Sequence, residues 1–187
     1  MTADEIIAAL APAVPGATYV ALASADAAVT PTIGVPREQL VATCRALQAP
    51  GLEFVAFSDV TATDYHPNRM PRFDLVYHLV SPHRRARVRL KVGINAQEAV
   101  ETLTALYPGA GWPEREIYDL FGIVFDGHAD MRRIMMPDDW EGHPLRKDYP
   151  VQLRKDAQTF MPLQVSEEEF RANLERDRFQ RGSVKPK

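Results

Sequence analysis

The sequence predicts an α+β fold: a mixed or antiparallel sheet with helices packed on it, followed by an extended, proline-rich C-terminal arm. Three observations carry that expectation. From Arg85 to Val92 cationic and apolar residues alternate strictly, the period-two signature of a strand with one buried face. Segments near residues 5–10, 36–47 and 113–121 instead repeat apolar residues at helical spacing. Beyond Phe125 periodicity fades, and Pro137, Pro144, Pro150 and Pro162 punctuate a charged stretch that cannot bury much core of its own. A compact domain over residues 1–125 and a loop-rich docking arm over 126–187 are expected.

Taken in order, Thr2 and Glu5 form a capping box ahead of Ile6, Ile7 and Leu10, a short first helix ending near Pro12. Thr18 to Leu22 and Val29 to Val35 read as two strands around a polar tip near Asp26. Pro36 suits the first turn of a second helix, in which Leu40, Val41, Cys44 and Leu47 make one stripe closed by Pro50 and Gly51. Cys44 on that stripe reads as core.

The middle reads as an antiparallel meander. Leu52 to Phe57 and Phe73 to Val80 are strand-like, with a loop from Thr61 to Arg72 between them, and a turn at Ser81 to His83 leads into the third strand. Its Arg85, Arg87, Arg89 and Lys91 form a basic ladder. Asn95 and Glu98 suggest a capping box opening a helix that carries Val100, Leu103, Leu106 and Tyr107. Pro113 starts a helix of about two turns with Glu114 and Glu116 at its positive end; Ile117, Leu120 and Phe121 form its apolar face, and Gly122 its stop. Ser166 and Glu169 could cap a last helix carrying Phe170 and Leu174.

Composition narrows the functional classes. The 187 residues carry 22 Lys plus Arg against 25 Asp plus Glu, a net charge of -3, which argues against a nucleic-acid coat. No stretch approaches the roughly 20 apolar residues of a membrane helix. Acids stand near the start where a secretory signal carries cations, so a cytoplasmic chain is expected. With one cysteine the chain can form no internal disulfide and cannot alone supply the four thiolates of an iron-sulfur cluster. G-x-G-x-x-G and Walker-type phosphate loops are missing too. Redox chemistry is therefore expected on a partner.

The densest polar cluster runs from Glu114 to Asp148, with nine acids, five bases, His128 and His143. A metal hydrolase using Asp119, His128, Asp130 and His143 is one reading, but no local pair places two ligands on one helix face. Hydrogen bonds and ion pairs that shape a loop-rich segment are the favoured alternative. Glu116 and Asp119, one turn apart on the helix, offer a pair for general acid or base work, but nothing marks a substrate pocket and a structural role is favoured. The basic ladder lacks the interleaved aromatics of a nucleic-acid sheet and reads as a solvated or docking face. Trp112 and Trp140 each fit local packing or an interface anchor.

From Gly111 to Pro150 the run GWPEREIYDLFGIVFDGHADMRRIMMPDDWEGHPLRKDYP closely resembles the signature region of a known family, that of the thirty-kilodalton subunit of respiratory NADH:quinone oxidoreductase, complex I. The matching residues are Glu114-Arg115-Glu116, Tyr118 to Gly122, Gly127-His128, Arg132-Arg133, and Pro137 through Pro150. Within them Asp119, Trp140, His143, Arg146, Asp148 and Tyr149 join Glu114, Arg115, Glu116, Gly122, His128, Arg132 and Arg133 as expected structural and interface positions. Ala129 stands where the family usually has proline.

The resemblance implies a cofactor-free subunit of the hydrophilic arm. It would form a hetero-oligomer with the quinone-site and iron-sulfur subunits, with FMN and the iron-sulfur clusters on partners and with no nucleic acid. Membrane association would be indirect, at the cytoplasmic side of the inner membrane. An equivalent subunit of a membrane-bound nickel-iron hydrogenase, or of a ferredoxin- or deazaflavin-dependent dehydrogenase, is the nearest alternative. Trp140, Tyr149 and Phe160 would anchor the arm, with Arg132, Arg133 and Arg146 paired to carboxylates on the signature helix or across the interface.

Overall fold

The computed structural model describes residues 1–15, 18–23 and 30–150, together with residues 166, 168, 171 and 172. The polar tip near Asp26, Phe160, and Glu169, Phe170 and Leu174 of the expected last helix lie outside these. Residues 1–150 form one compact unit.

The first helix, α1 (Ala3–Leu10), opens with the expected box: the Glu5 amide donates to Thr2 Oγ1 at 3.2 Å and the Thr2 amide to Glu5 Oε2 at 2.8 Å. Two short strands, β1 (Val20–Leu22) and β2 (Thr32–Gly34), pair antiparallel. Pro36 precedes a single 3-10 turn, Arg37–Gln39, which runs into α2 (Leu40–Gln48).

The meander follows as β3 (Ala56–Asp64), β4 (Phe73–Ser81) and β5 (Ala86–Ile94), each pairing antiparallel with the next. Because β2 joins β5 in parallel, the sheet is mixed, in the order β1-β2-β5-β4-β3. Leu52 and Phe54 are buried, but strand pairing begins only at Ala56, since Glu53 turns the chain with φ +56°. The strand then continues through Asp64, which shortens the connecting loop to residues 65–72.

The expected helix after Asn95 does not form. Half of its capping box does, the Asn95 amide donating to Glu98 Oε2 at 2.7 Å. The chain then enters a two-residue strand, β6 (Val100–Glu101), which pairs parallel with β7 (Phe125–Asp126). Val100, Leu103 and Tyr107 are buried as the spacing requires, but on a short strand and turns. A 3-10 turn, Pro108–Ala110, leads into α3 (Gly111–Phe121).

The core lies on the apolar face of β4 and β5. There Leu75, Tyr77, Val88 and Leu90 meet Ile6 and Leu10 of α1, Leu40, Cys44 and Leu47 of α2, and Ile117 and Phe121 of α3. The buried thiol of Cys44 has its pKa pushed far up by desolvation, which suits core and not reactivity. On the opposite face, Arg89 reaches Thr32 Oγ1 at 3.4 Å and Lys91 lies 3.9 Å from Asp74. No helix among the described residues is long and apolar enough to cross a membrane.

Candidate functional site

Helix α3 buries more than an apolar stripe. Glu114 and Asp119 are fully buried beside Ile117 and Phe121, so two acids sit where the sequence pattern marks only Ile117, Leu120 and Phe121. Such groups are tolerated only when they are well bonded.

Glu114 accepts from the Thr102 hydroxyl at 2.5 Å and from the Leu103 amide at 2.9 Å, which ties the first turn of α3 to the chain after β6. Burial dominates its titration and raises its pKa, against the two donors. Asp119 is the hub of the opposite end. Its Oδ2 accepts the amides of Ile134, Met135 and Met136 at 3.0, 2.7 and 2.8 Å, and its Oδ1 accepts Arg133 Nη1 at 2.6 Å. Burial pushes this carboxyl up, but the Met136 and Ile134 amides, the Arg133 guanidinium and the Met135 amide together outweigh it. The pKa ends below the ordinary value.

A helix leaves its last carbonyls without intrahelical partners. In α3 the segment after β7 supplies them. Gly122 adopts φ +72°, a left-handed cap that a side chain disfavours, and its amide donates to the Tyr118 carbonyl at 2.8 Å. His143 Nδ1 donates to the Asp119 carbonyl at 2.9 Å, the Leu145 amide to that of Leu120 at 3.0 Å, and Arg146 Nε to that of Phe121. Arg146 Nη2 reaches the Gly122 carbonyl at 3.3 Å. Arg146 therefore answers helix carbonyls and the negative end of the helix dipole, where a carboxylate partner is the sequence expectation. Burial depresses the pKa of His143 against the pull of the Asp119 carbonyl, and Arg146 and Arg133 lower it further.

The rest of the segment is fastened similarly. Arg115 donates to the carbonyls of Arg132 and Arg133 at 3.0 and 3.2 Å and lies 3.5 Å from Asp130. Exposed Arg132 pairs with Asp130 at 2.8 Å. His128 receives the Asp130 amide on Nδ1, which leaves the proton on Nε2 to meet the Gly111 carbonyl at 3.1 Å. Arg133 Nη2 reaches the Gly142 carbonyl at 3.0 Å, and the Tyr149 hydroxyl the Glu141 carbonyl at 3.2 Å. Trp140 is half-buried, its amide donating to the Pro137 carbonyl at 3.0 Å.

One anchor escapes sequence reasoning. Arg72 forks between Asp64, at 3.0 and 2.7 Å, and Asp148, at 2.9 and 2.7 Å, while the Lys147 and His66 amides each add 2.9 Å bonds to Asp64. Desolvation opposes ionisation of Asp64, but Arg72 and the two amides override it and set the pKa at about 2. Arg72 stands 76 residues from Asp148, and Asp64 stands 83 from Lys147. Across such separations spacing in one sequence carries no signal.

Asp119, His128, Asp130 and His143, the candidate metal set, are each engaged in the bonds above. No group of three or more His, Cys, Asp or Glu side chains suited to a metal ion occurs among the described residues. Glu116 is exposed on α3.

Comparison with known proteins bears on both the family and the fold. Residues 33–155 match the sequence family described as "Respiratory-chain NADH dehydrogenase, 30 Kd subunit". The corresponding NADH-quinone oxidoreductase subunit of Geobacter sulfurreducens is 48% identical over 122 residues, covering 65% of this chain and 75% of that protein. A solved trypsin-resistant fragment of Nqo5 is 30% identical, with a TM-score of 0.56 over 69% of this chain and 99% of the fragment. A chain of the membrane-bound sulfane sulfur reductase, an archaeal respiratory membrane complex, shares the fold at TM-score 0.64 and 24% identity, over 79% of this chain and 85% of that one.

Proposed function

Because the chain belongs to the 30 Kd subunit family of respiratory-chain NADH dehydrogenase, we propose that it is a non-catalytic, architectural subunit of NADH-quinone oxidoreductase. The observation that carries this reading is the fate of the signature residues. Asp119 spends its lone pairs on Arg133 and three amides, and the carbonyls of residues 118–121 are taken by Gly122, His143, Leu145 and Arg146. A general acid or base needs a proton path to substrate and a suitable pKa. Asp119 is buried, is saturated by donors and has a lowered pKa.

In this reading the chain holds no cofactor, and FMN and iron-sulfur clusters belong to neighbouring subunits of the peripheral arm. The quinone-site and iron-sulfur subunits are its partners, and it reaches the cytoplasmic face of the inner membrane only through them. Of the stretch 126–187, the part up to Pro150 shapes a rigid surface around α3, and the remainder is assigned to docking. Glu114, Arg115, Asp119, Gly122, His128, Arg132, Arg133, His143, Arg146 and Asp148 maintain that surface. Glu116, Trp140 and Tyr149 are assigned to contact with partners.

Purification of the tagged chain from solubilised native membranes tests the reading. Co-elution with flavin, iron and NADH-quinone reductase activity is expected; recovery of the chain alone, from membranes that retain that activity, contradicts it.

A further inference from the structure

Among the described residues β3 lies at the end of the sheet, in register with β4 alone. Half of the backbone amides and carbonyls of an antiparallel edge strand point away from its neighbour and need another partner or water. A bulge between Phe57 and Asp59 interrupts the register; from Asp59 to Asp64 it is continuous. This stretch is long enough to template a further strand.

The same stretch lines a groove. A cavity of about 250 Å³ lies between residues 59–62 and the α3 wall of Glu116, Leu120 and Phe121, with half-exposed Leu145 beside it. A second of about 210 Å³ shares Ala62, Phe121 and Leu145 and continues to Asp64 and Lys147. The two lie side by side along β3, with apolar lining in common and charged residues at either end. Asp59 and Glu116 are exposed at one end with no ion-pair partner among the described residues, whereas Lys147 marks the other.

We propose that this groove receives an extended segment of a partner polypeptide as an added strand, a recognition mode in which backbone bonds give affinity and side-chain pockets give specificity. The segment carries Lys or Arg against Asp59 and Glu116 and places a bulky apolar side chain against Leu120, Phe121 and Leu145. An apolar partner alone would leave both carboxylates facing it uncompensated. The inference rests on the reading of the chain as an assembled subunit and adds where, and to what chemistry, it binds.

The test compares the full-length chain alone with the chain in the purified complex. Hydrogen exchange over residues 59–64 is expected to slow by about tenfold or more on assembly. A photo-reactive p-benzoylphenylalanine at exposed Thr61 is expected to cross-link, within the purified complex, to a segment of another subunit that pairs a cationic with a bulky apolar residue. Replacing both acids, Asp59→Lys with Glu116→Lys, should lower the chain retained in the complex by about tenfold while leaving its unfolding midpoint unchanged. Unchanged exchange in an intact complex, or cross-links only to residues 151–187 of this chain or to a second copy, overturns the groove assignment alone. A chain that never co-elutes with flavin and iron overturns the subunit reading instead.

Discussion

Asp119→Asn removes one charge from the centre of the signature region while keeping its volume. The aspartate, fully buried, accepts four bonds: three amides within 3.0 Å and Arg133 at 2.6 Å. Hydrogen bonds to a charged group contribute about 1.5–3 kcal/mol each, and breaking a buried pair costs about 3–5 kcal/mol. Asparagine still accepts on one oxygen, but its NH2 group faces a donor. Ile134, Met136 and Arg133 are half-buried, so water can reach some of the donors left without an acceptor. The loss of the buried charge also removes a desolvation penalty, the largest influence opposing ionisation at this site. The low end of the buried-pair cost, about 3 kcal/mol, is the expected net loss, with the relieved desolvation offsetting the weakened amide bonds. With a urea slope of about 2 kcal/mol/M, the midpoint should fall by about 1.5 M. Urea unfolding followed by tryptophan fluorescence measures this, since Trp112 sits on α3 and Trp140 on the segment it holds. A change below about 0.5 kcal/mol, the scale of an ordinary surface substitution, would refute the assignment of Asp119 as the hub.

Three further outcomes follow from the same geometry. Gly122→Ala forces a β-carbon into the left-handed region at φ +72° and against the His143 ring and Arg146 guanidinium; thermal melting should show a loss of about 2 kcal/mol or more. Asp64 titrates at about 2 when folded and near 4 when unfolded, so the unfolded chain takes the proton first as pH falls. Its contribution, about 2 kcal/mol, is complete above about pH 4 and disappears as pH drops towards 2; Asp64→Asn should flatten that limb of a stability-pH curve. Tyr107→Phe removes a buried hydroxyl donating to the Phe54 carbonyl at 2.8 Å and should cost about 1–2 kcal/mol in urea unfolding.

Much of the architecture is legible where local chemistry and tertiary burial agree. The Thr2–Glu5 box, the Leu40–Cys44–Leu47 stripe and the alternation along β5 each encode one element, and each forms. The stretch after Asn95 shows the limit. Its capping contact is real, yet apolar residues spaced at three and four also suit turns beneath a sheet, and pairing of β6 with β7 decides between them. Within the candidate site, the signature motif marks the correct region but not its wiring. Nothing in the spacing separates Asp119, which is buried at the centre of the network, from Glu116, which faces solvent. The Arg72 fork to Asp64 and Asp148 is a product of folding alone, joining β3, the loop that leads into β4 and the C-terminal segment.

On this reading the signature region builds the subunit and does not turn over substrate. NADH-quinone reductase turnover per flavin, measured with the amount of assembled complex in Glu116→Ala and Arg133→Ala variants, separates the two roles. Both variants should accumulate less complex, with turnover per flavin unchanged in whatever assembles. Full assembly with abolished electron transfer would contradict that reading.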